Sequence, residues 1–211
     1  MISDGGSVEL ARCRFAVVDV ETTGARAERG GRIIEVAVAI LEHGTVHLAY
    51  HALLDPCTPV PPWVTRLTGI TQQDVFGKPR FVDVAAHLQQ ALEEGVFVAH
   101  NARFDWRHLT AEWAAAGLAA PAGRPLCTVR LTRRLVPELR HRGLDQVSAF
   151  FGVENPARHR AFGDALTTAY VLRSLLGLAR DRGVETLDDL VELHDRPRHR
   201  SAHVIPHSAI E

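Results

Sequence analysis

The stretch Phe15-Ala-Val-Val-Asp-Val-Glu-Thr-Thr-Gly24 places two acidic residues inside an apolar, strand-like pattern. Side chains two positions apart on a strand point to the same face, so Asp19 and Glu21 should project together while Val18 and Val20 face the other way. Two carboxylates this close repel each other, and removal from water strengthens the repulsion. A cation between them relieves it. The stretch therefore predicts a metal site, and the alternative of a surface strand with two solvated acids is disfavoured by the apolar neighbours.

The composition is that of an ordinary globular chain, with 211 residues, 46% hydrophobic and 23% charged. No apolar run approaches the roughly 20 residues that a membrane span needs, and the first ten residues lack the basic and apolar regions of a signal peptide. The cysteines are few and scattered, which disfavours a disulfide framework or a zinc finger and predicts a reducing, cytoplasmic location. They are Cys13, Cys57 and Cys127.

The formal net charge of −1 gives no general signature of a polyanion-binding protein. Arginine is concentrated between Arg124 and Arg160, and guanidinium groups suit bidentate contacts to phosphate. This segment is a candidate nucleic-acid-facing surface, and a solvated helical face in an arginine-rich chain is the alternative. Its eight arginines are Arg124, Arg130, Arg133, Arg134, Arg140, Arg142, Arg158 and Arg160.

The hydrophobic periodicity predicts three consecutive strands joined by short turns, followed by strands that alternate with helices. This order indicates an α/β fold with a central, mixed, five-stranded sheet flanked by helices. We expect one domain over 1–183, with its core motifs within 14–178, and a short helix with a polar tail over 184–211. The predicted strands are 15–20, 32–41, 46–54, 96–99 and 126–128. The main predicted helices are 63–68, 81–92, 102–117, 129–136, 144–151, 161–182 and 186–194, with Gly69 stopping the first and Thr71 capping a further turn.

Three later residues extend the acidic pair. Asp105 lies in the first turn of the helix that follows His100-Asn101, Asp164 lies on the last long helix, and His159 precedes Asp164 by five residues. Each also has a simple structural explanation, because helix dipoles favour acids in a first turn and the other two could be solvated.

Together these residues predict a catalytic centre. Four carboxylates in one cleft would hold two divalent cations, and hard oxygen ligands favour Mg²⁺ or Mn²⁺ over zinc. Two such cations suit in-line displacement at phosphorus. The imidazole of His159 exchanges a proton near neutral pH and would take the proton of the attacking water.

Three motifs carry a family resemblance. Val18-Asp-Val-Glu-Thr-Thr-Gly24, Val98-Ala-His-Asn-Ala-Arg-Phe-Asp105 and His159-Arg-Ala-Phe-Gly-Asp-Ala165 resemble, in order, the exonuclease motifs of the DEDDh 3′→5′ exonucleases. Leu67-Thr-Gly-Ile-Thr71 and Gly143-Leu-Asp-Gln-Val147 match as well. Within that family, the chain most resembles the type of the DNA polymerase III epsilon (proofreading) subunit.

The resemblance implies a ribonuclease H-like fold in which Asp19, Glu21, Asp105 and Asp164 bind two Mg²⁺ or Mn²⁺ ions and His159 is the general base. Asp19 would be shared by both ions. The resemblance also implies a site for the 3′-terminal nucleotide, in which Phe104 would lie against a sugar or base. The residues of that site are Thr22, Thr23, Leu67, Thr68, Asn101 and Phe104, and Thr68 replaces a histidine of the epsilon type.

The implied function is hydrolysis at the 3′ end of mainly single-stranded DNA with release of nucleoside monophosphates, in proofreading or repair. An RNA 3′ exonuclease of the ribonuclease T or oligoribonuclease kind is the alternative within the same chemistry. A non-catalytic nucleic-acid-binding subunit is the alternative from another class. A DNA polymerase catalytic subunit is a candidate partner, and no membrane association is expected.

Overall fold

One mixed sheet forms the centre of the structure. In the computed structural model, which describes residues 7–93 and 95–197, the strand order is β3-β2-β1-β4-β5. β1 pairs antiparallel with β2 and parallel with β4, so the predicted mixed five-stranded sheet is confirmed. The strands are β1 (Phe15–Thr22), β2 (Ile33–Glu42), β3 (Thr45–Leu53), β4 (Val96–Ala99) and β5 (Leu126–Cys127).

Helices cover both faces of this sheet, and each predicted helix is present with small shifts at its ends. The predicted helix stop at Gly69 and the predicted cap at Thr71 are both present: Gly69 adopts a left-handed conformation, and the Thr71 side chain accepts a hydrogen bond from the backbone N–H of Asp74. The helices are α1 (Pro62–Thr68), α2 (Gln72–Val75), α3 (Phe81–Leu92), α4 (Arg103–Ala115), α5 (Thr128–Leu135), α6 (Leu144–Phe150), α7 (Ala161–Arg180) and α8 (Leu187–Asp195).

The alternation of side chains along β1 decides which helix meets which residue. Ala16, Val18 and Val20 belong to the apolar core that contains residues of α3 and α4. Phe15 and Val17 belong to the opposite core, which is built largely on α7. Asp19 and Glu21 continue the second series, so β1 directs its two carboxylates toward the face on which α7 lies.

The segment after residue 183 packs against the rest of the fold. Leu190 of α8 is buried in the α7 core, and the backbone N–H of Cys127 donates a hydrogen bond of 3.0 Å to Nε2 of His194. The domain boundary at residue 183 stays a prediction. Residues 198–211 of the predicted polar tail lie outside the described residues. None of the helices formed by the described residues combines the length and the apolar character that crossing a bilayer requires.

The first turn of α7 lies tightly against the loop that precedes it. A Cβ atom on Gly163 would stand 2.1 Å from the carbonyl oxygen of Ala157. Asn155, in the same loop, donates a hydrogen bond of 2.6 Å from Nδ2 to Oδ1 of Asp164. The absence of a side chain at Gly163 therefore lets the loop close over the helix start and reach Asp164.

We predict that Gly163→Ala lowers the free energy of unfolding by about 1–3 kcal/mol, because the added methyl group forces the loop and helix apart. Gly177→Ala is the matched control on the same helix, since its Cβ would meet no atom within 4 Å. The control should raise the free energy of unfolding by about 0.5–1 kcal/mol through helix propensity. Urea denaturation of both variants measures the difference, and equal stability would contradict the close contact.

Candidate active site

Three of the predicted carboxylates converge at the carboxyl end of β1. One carboxylate oxygen from each of Asp19, Glu21 and Asp164 lies within 4.8 Å of the others. The first two extend from neighbouring positions on one face of β1, and the third extends from the first turn of α7. The fold thus brings together residues that are more than 140 positions apart in the chain.

Asp105, on α4, lies at the same end of β1. It lies in the first turn of α4, which begins soon after β4, the parallel neighbour of β1. Its Oδ1 accepts a hydrogen bond of 3.2 Å from the backbone N–H of Val20. This bond ties α4 to the strand that carries Asp19, and the charge of Asp105 acts on the Asp19 carboxyl.

Burial raises the pKa of all four carboxyl groups, and repulsion from other members of the group adds to it for Asp19, Glu21 and Asp105. Burial is the largest cause for Asp19, whose pKa is well above its ordinary value, and the charges of Asp105, Glu21 and Asp164 add to it. Burial and then Asp164 raise the pKa of Glu21 to about 8. Burial raises the pKa of Asp105 to about 7 despite its backbone hydrogen bonds, and it also raises that of Asp164. The group is therefore unfavourable in its ionised form unless positive charge is supplied.

The donor set fits a divalent metal ion. All of the converging ligand atoms are carboxylate oxygens, without sulfur or imidazole nitrogen in the group of three. Hard oxygen donors favour hard divalent cations. A cation among them would also offset the repulsion that raises their pKa values.

His159 lies two residues before the first residue of α7, in a left-handed backbone conformation with φ of 57°. Burial, the largest cause, raises the pKa of the Asp164 carboxyl, and Asn155 and the neighbouring His159 act to lower it. Ion pairs hold both sequence neighbours, because Arg158 contacts Asp145 and Arg160 contacts Glu35. The half-buried His159 is thus held beside one of the carboxylates that β1 and α7 bring together.

The turn after β1 is ordered by its own threonines. The hydroxyl of Thr22 donates to the carbonyl oxygen of Gly24 at 2.9 Å, and the hydroxyl of Thr23 accepts from the backbone N–H of Arg32 at 2.9 Å. Both threonine side chains are buried. The turn is therefore rigid, and the groups that it can offer to a ligand are mainly those of its backbone.

The four remaining predicted residues lie on two other elements. Leu67 is 49% exposed at the end of α1, whereas Thr68 is only 6% exposed. The Thr68 hydroxyl donates to the carbonyl oxygen of Val64 and accepts from the backbone N–H of Ile70, both at 3.0 Å. α1 reaches this end of the sheet because Val64 and Ile70 pack with Ile34 of β2.

Asn101 and Phe104 flank the start of α4. Asn101 is exposed in a left-handed conformation with φ of 67°. The half-buried ring of Phe104 lies 4.5 Å from that of His108, centroid to centroid. Both residues thus lie within one helical turn of Asp105.

Sequence reasoning missed Glu35, which is fully buried beside the site. It lies directly opposite Glu21 in the β1–β2 register. Its carboxylate accepts hydrogen bonds from Nη2 of Arg160 at 2.8 Å, from the backbone N–H of Ala161 at 2.9 Å and from Nε2 of His51 at 2.7 Å. Burial pushes the pKa of Glu35 upward, but these bonds outweigh it and hold the pKa below its ordinary value.

The available signal for Glu35 was an acid within an apolar strand pattern, the same signal that identified Asp19. The sequence does not indicate which residues pair with Glu35. His51 has the position of a solvated strand histidine, and Arg160 lies in the arginine-rich segment. Only the fold shows that the three side chains meet and fasten the start of α7 to β2.

Most arginines of the arginine-rich segment contact oxygen atoms of the chain itself, and the role of the segment as a nucleic-acid-facing surface stays a prediction. Six of its eight arginines contact carboxylates or carbonyl oxygens of the chain itself. Arg124 and Arg130 pair with Asp195, Arg158 with Asp145 and Arg160 with Glu35, while Arg134 and Arg142 donate to backbone carbonyl oxygens.

Comparisons with known proteins assign the chain to a family. The family model described as exonuclease matches residues 16–172. The 3′-5′ exonuclease DinG of Bacillus subtilis is 33% identical over 180 residues, which cover 85% of this chain and 19% of that protein. The PolC-type DNA polymerase III of the same organism is 32% identical over 179 residues, or 84% of this chain and 12% of that protein. The chain thus spans less than a fifth of the length of these relatives.

The fold is shared with exonucleases of known structure. Exonuclease X, solved in complex with 5′ overhanging duplex DNA, is similar with a TM-score of 0.68 and 27% identity. The similarity covers 86% of this chain and 99% of that chain, and the shared architecture is the ribonuclease H-like one. With a family match over most of its length and relatives above 30% identity, this chain belongs to the exonuclease family, in the DEDDh 3′→5′ group that its three motifs resemble.

Proposed function

We propose that the chain is a divalent-cation-dependent exonuclease that hydrolyses phosphodiester bonds at the 3′ end of mainly single-stranded DNA and releases nucleoside monophosphates. The observation that carries the proposal is the convergence of Asp19, Glu21 and Asp164 within 4.8 Å, with Asp105 bonded to the same strand. Four carboxyl groups with raised pKa values are costly to the fold. A functional centre explains why they are gathered in one place.

Asp19, Glu21, Asp105 and Asp164 hold two Mg²⁺ or Mn²⁺ ions in this proposal. Their oxygen-only donor set supports these cations. When bound, two such cations lower the pKa of an attacking water and stabilise the charge that develops on the phosphoryl and leaving oxygens.

His159 supplies the base. Its imidazole accepts a proton from the water that attacks the phosphorus atom of the terminal phosphodiester. The bond from phosphorus to the 3′ oxygen of the preceding nucleotide breaks, and that oxygen takes up a proton. The products are a nucleoside 5′-monophosphate and a strand that is one nucleotide shorter with a new 3′ hydroxyl. The ion pairs of Arg158 and Arg160 keep the imidazole in place.

The terminal nucleotide is held by the turn after β1 and by the ends of α1 and α4. Backbone groups near Thr22 and Thr23 contact the 3′ end, because the threonine hydroxyls are already bonded within the turn. Leu67 is exposed enough to contact the base. The internally bonded Thr68 fixes the end of α1, and that role compensates for the histidine that it replaces.

Asn101 and Phe104, at the start of α4, complete the binding site for the terminal nucleotide. Asn101 offers an exposed amide, and Phe104 offers a ring for sequence-tolerant stacking.

DNA is the favoured substrate because of the relatives. One relative is named as a DNA polymerase, the PolC-type DNA polymerase III, and the structure of Exonuclease X was solved in complex with duplex DNA. The match to one segment of a much longer polymerase also supports association with a polymerase catalytic subunit. The three free cysteines support the proposed cytoplasmic location.

The first test is parallel digestion of matched DNA and RNA strands, labelled at the 3′ end, in Mg²⁺. We expect release of labelled mononucleotide from DNA, faster from single strands than from paired ends. Faster digestion of RNA would move the chain to the ribonuclease alternative. Tight strand binding without turnover in Mg²⁺ or Mn²⁺ would indicate a non-catalytic subunit.

Asp164→Asn should lower kcat by about 10³-fold or more, because it removes a ligand charge from the carboxylate group. Asp181→Asn is the matched control, since Asp181 is exposed at the other end of α7.

His159→Ala should lower kcat by about 10²–10⁴-fold and change strand binding much less. An equal loss in kcat and in binding would argue against a base role for His159.

The metal-free protein should become less stable as the pH rises from about 6 to 8. Because the carboxyl pKa values are raised in the folded state, that state binds more protons than the unfolded chain, so the free energy of unfolding falls with pH until the last group ionises. Asp105, with a pKa of about 7, and Glu21, with a pKa of about 8, both titrate around this range. Glu35 has a lowered pKa, and its contribution is lost only at acidic pH below this window.

Thermal unfolding in EDTA at several pH values measures this effect. Added Mg²⁺ or Mn²⁺ should raise Tm more at pH 8 than at pH 6, because protons compete with the cation at the lower pH. Asp19→Asn should reduce both the pH dependence and the cation effect. A Tm that rises with pH in EDTA would contradict the electrostatic account.

Glu35→Gln should lower kcat about tenfold with little change in KM, since Glu35 contacts α7 and not the substrate. Loss of the charge should also lower the free energy of unfolding by about 2–3 kcal/mol, the range of charged hydrogen bonds. Glu42→Gln, at the other end of β2, is the control because Glu42 forms no ion pair with a described residue. Steady-state kinetics and urea denaturation measure both effects, and an unchanged kcat would contradict the positioning role.

A further inference from the structure

A polar recess of about 250 Å³ opens beside the turn that follows β1. It lies between the loop 25–28 and the exposed face of α4. Its lining includes three arginines, Arg26, Arg103 and Arg107, and one glutamate, Glu28, together with Asn101, Phe104 and His108.

The recess is held open by contacts on the far side of its loop. The guanidinium of Arg32 forms a bidentate pair with Glu112 of α4, at 2.7 and 2.8 Å. The ring of His108 lies between two carbonyl oxygens, with Nε2 at 3.1 Å from Gly24 and Nδ1 at 3.0 Å from Phe104. These contacts fasten both ends of the loop to α4. The recess is therefore a formed part of the fold.

Gly31 lets the two limbs of this loop come together. A Cβ atom at position 31 would stand 2.7 Å from the carbonyl oxygen of Gly24 and 2.9 Å from that of Arg26. A side chain there would push the limbs apart, so the shape of the recess depends on this close approach.

The charge of the recess favours an anion. Arg107 faces Glu28 with Nε at 3.6 Å from Oε1, and both side chains are about half exposed, so the pair is weak. Arg26 and Arg103 form no ion pair with any residue in the described part of the chain. Three arginines against one glutamate leave a net positive charge. Guanidinium groups are matched to phosphate oxygens in both geometry and hydration.

The helix α4 separates this recess from the carboxylate cluster. Arg103 and Arg107 are four residues apart, so they share one face of the helix. Asp105 lies between them in sequence and points away, to the backbone of Val20. The same two helical turns therefore present a carboxylate to the cluster and two arginines to the recess.

We propose that this recess binds phosphodiester groups of the strand that precede the 3′-terminal nucleotide. The inference rests on the proposed function, because it needs a polynucleotide whose end lies at the carboxylates. Asn101 and Phe104 line the recess and also flank the terminal-nucleotide site, so a strand leaving that site passes directly to the arginines. The recess makes affinity depend on strand length and on salt concentration.

The test is a double variant, Arg26→Ala with Arg103→Ala, measured on substrates of increasing length. A dinucleotide contains only the scissile phosphodiester, whereas a longer single strand adds upstream phosphates. For the long strand we expect KM to rise roughly tenfold, and the dependence of log KM on log salt should weaken by about 0.7 for each lost phosphate contact. The kcat/KM ratio of long strand to dinucleotide should therefore fall.

Two further variants supply a control and a change of opposite sign. The double variant Arg12→Ala with Arg180→Ala removes the same charge from exposed positions, with Arg180 at the far end of α7 from Asp164. It should leave the length dependence as it is in the wild type. Glu28→Gln removes the one acid of the recess, and it should lower KM for the long strand about twofold to fivefold.

Strand binding in EDTA, followed by fluorescence anisotropy, reports the recess without turnover. Equal affinity of the wild type and the Arg26/Arg103 variant for a long strand would overturn the inference, as would an equal loss of kcat/KM on the dinucleotide and the long strand. A control variant that reproduces the loss would overturn it too. A wild-type chain that binds the strand through the arginines but releases no nucleotide would support the recess and contradict the proposed function alone.

Discussion

Carboxyl groups from three separated elements meet at one end of the central sheet, and burial raises the pKa of each. Such a group opposes folding at neutral pH, so the rest of the structure must hold it together against repulsion. The apolar side chains of β1 contribute to this stabilisation, because they pack with α7 on one face of the sheet and with α3 and α4 on the other. The parallel β1–β4 pairing then brings the start of α4 to the same edge. Divalent cations complete the electrostatic balance in the function proposed for the site.

Two glutamates that face each other across β1 and β2 show how the same side chain takes opposite roles. Glu21 has a raised pKa because burial and neighbouring carboxylates disfavour its charge. Glu35, its register partner, has a lowered pKa because Arg160, Ala161 and His51 donate to it. In the proposed function Glu21 binds a cation, whereas Glu35 fastens the start of α7 to β2. Since Arg160 directly follows His159, the buried Glu35 links the sheet to the residue proposed as the base.

The sequence was sufficient for the architecture and for the acids of the site. Alternation places Asp19 and Glu21 on one face of β1. Asp164 lies off the main apolar stripe of α7, so its place beside them follows from the motif resemblance and not from helical periodicity. Glu35 has the same strand signal as Asp19, but its structural role depends on cationic partners that come from β3 and from the start of α7. Composition likewise does not show that Arg124 and Arg130 of the arginine-rich segment pair with an aspartate of α8.

In these proposals the cations bind at the carboxylates, and the phosphates of the nucleic-acid strand bind at the arginines on the opposite face of α4. The central claim is that Asp19, Glu21, Asp105 and Asp164 form one site for two divalent cations. Anomalous diffraction at the manganese edge, from crystals grown with Mn²⁺ and a nucleoside monophosphate, tests it most directly. The account predicts two adjacent manganese peaks, both in contact with Asp19. Peaks elsewhere, or no manganese at these carboxylates, would contradict it.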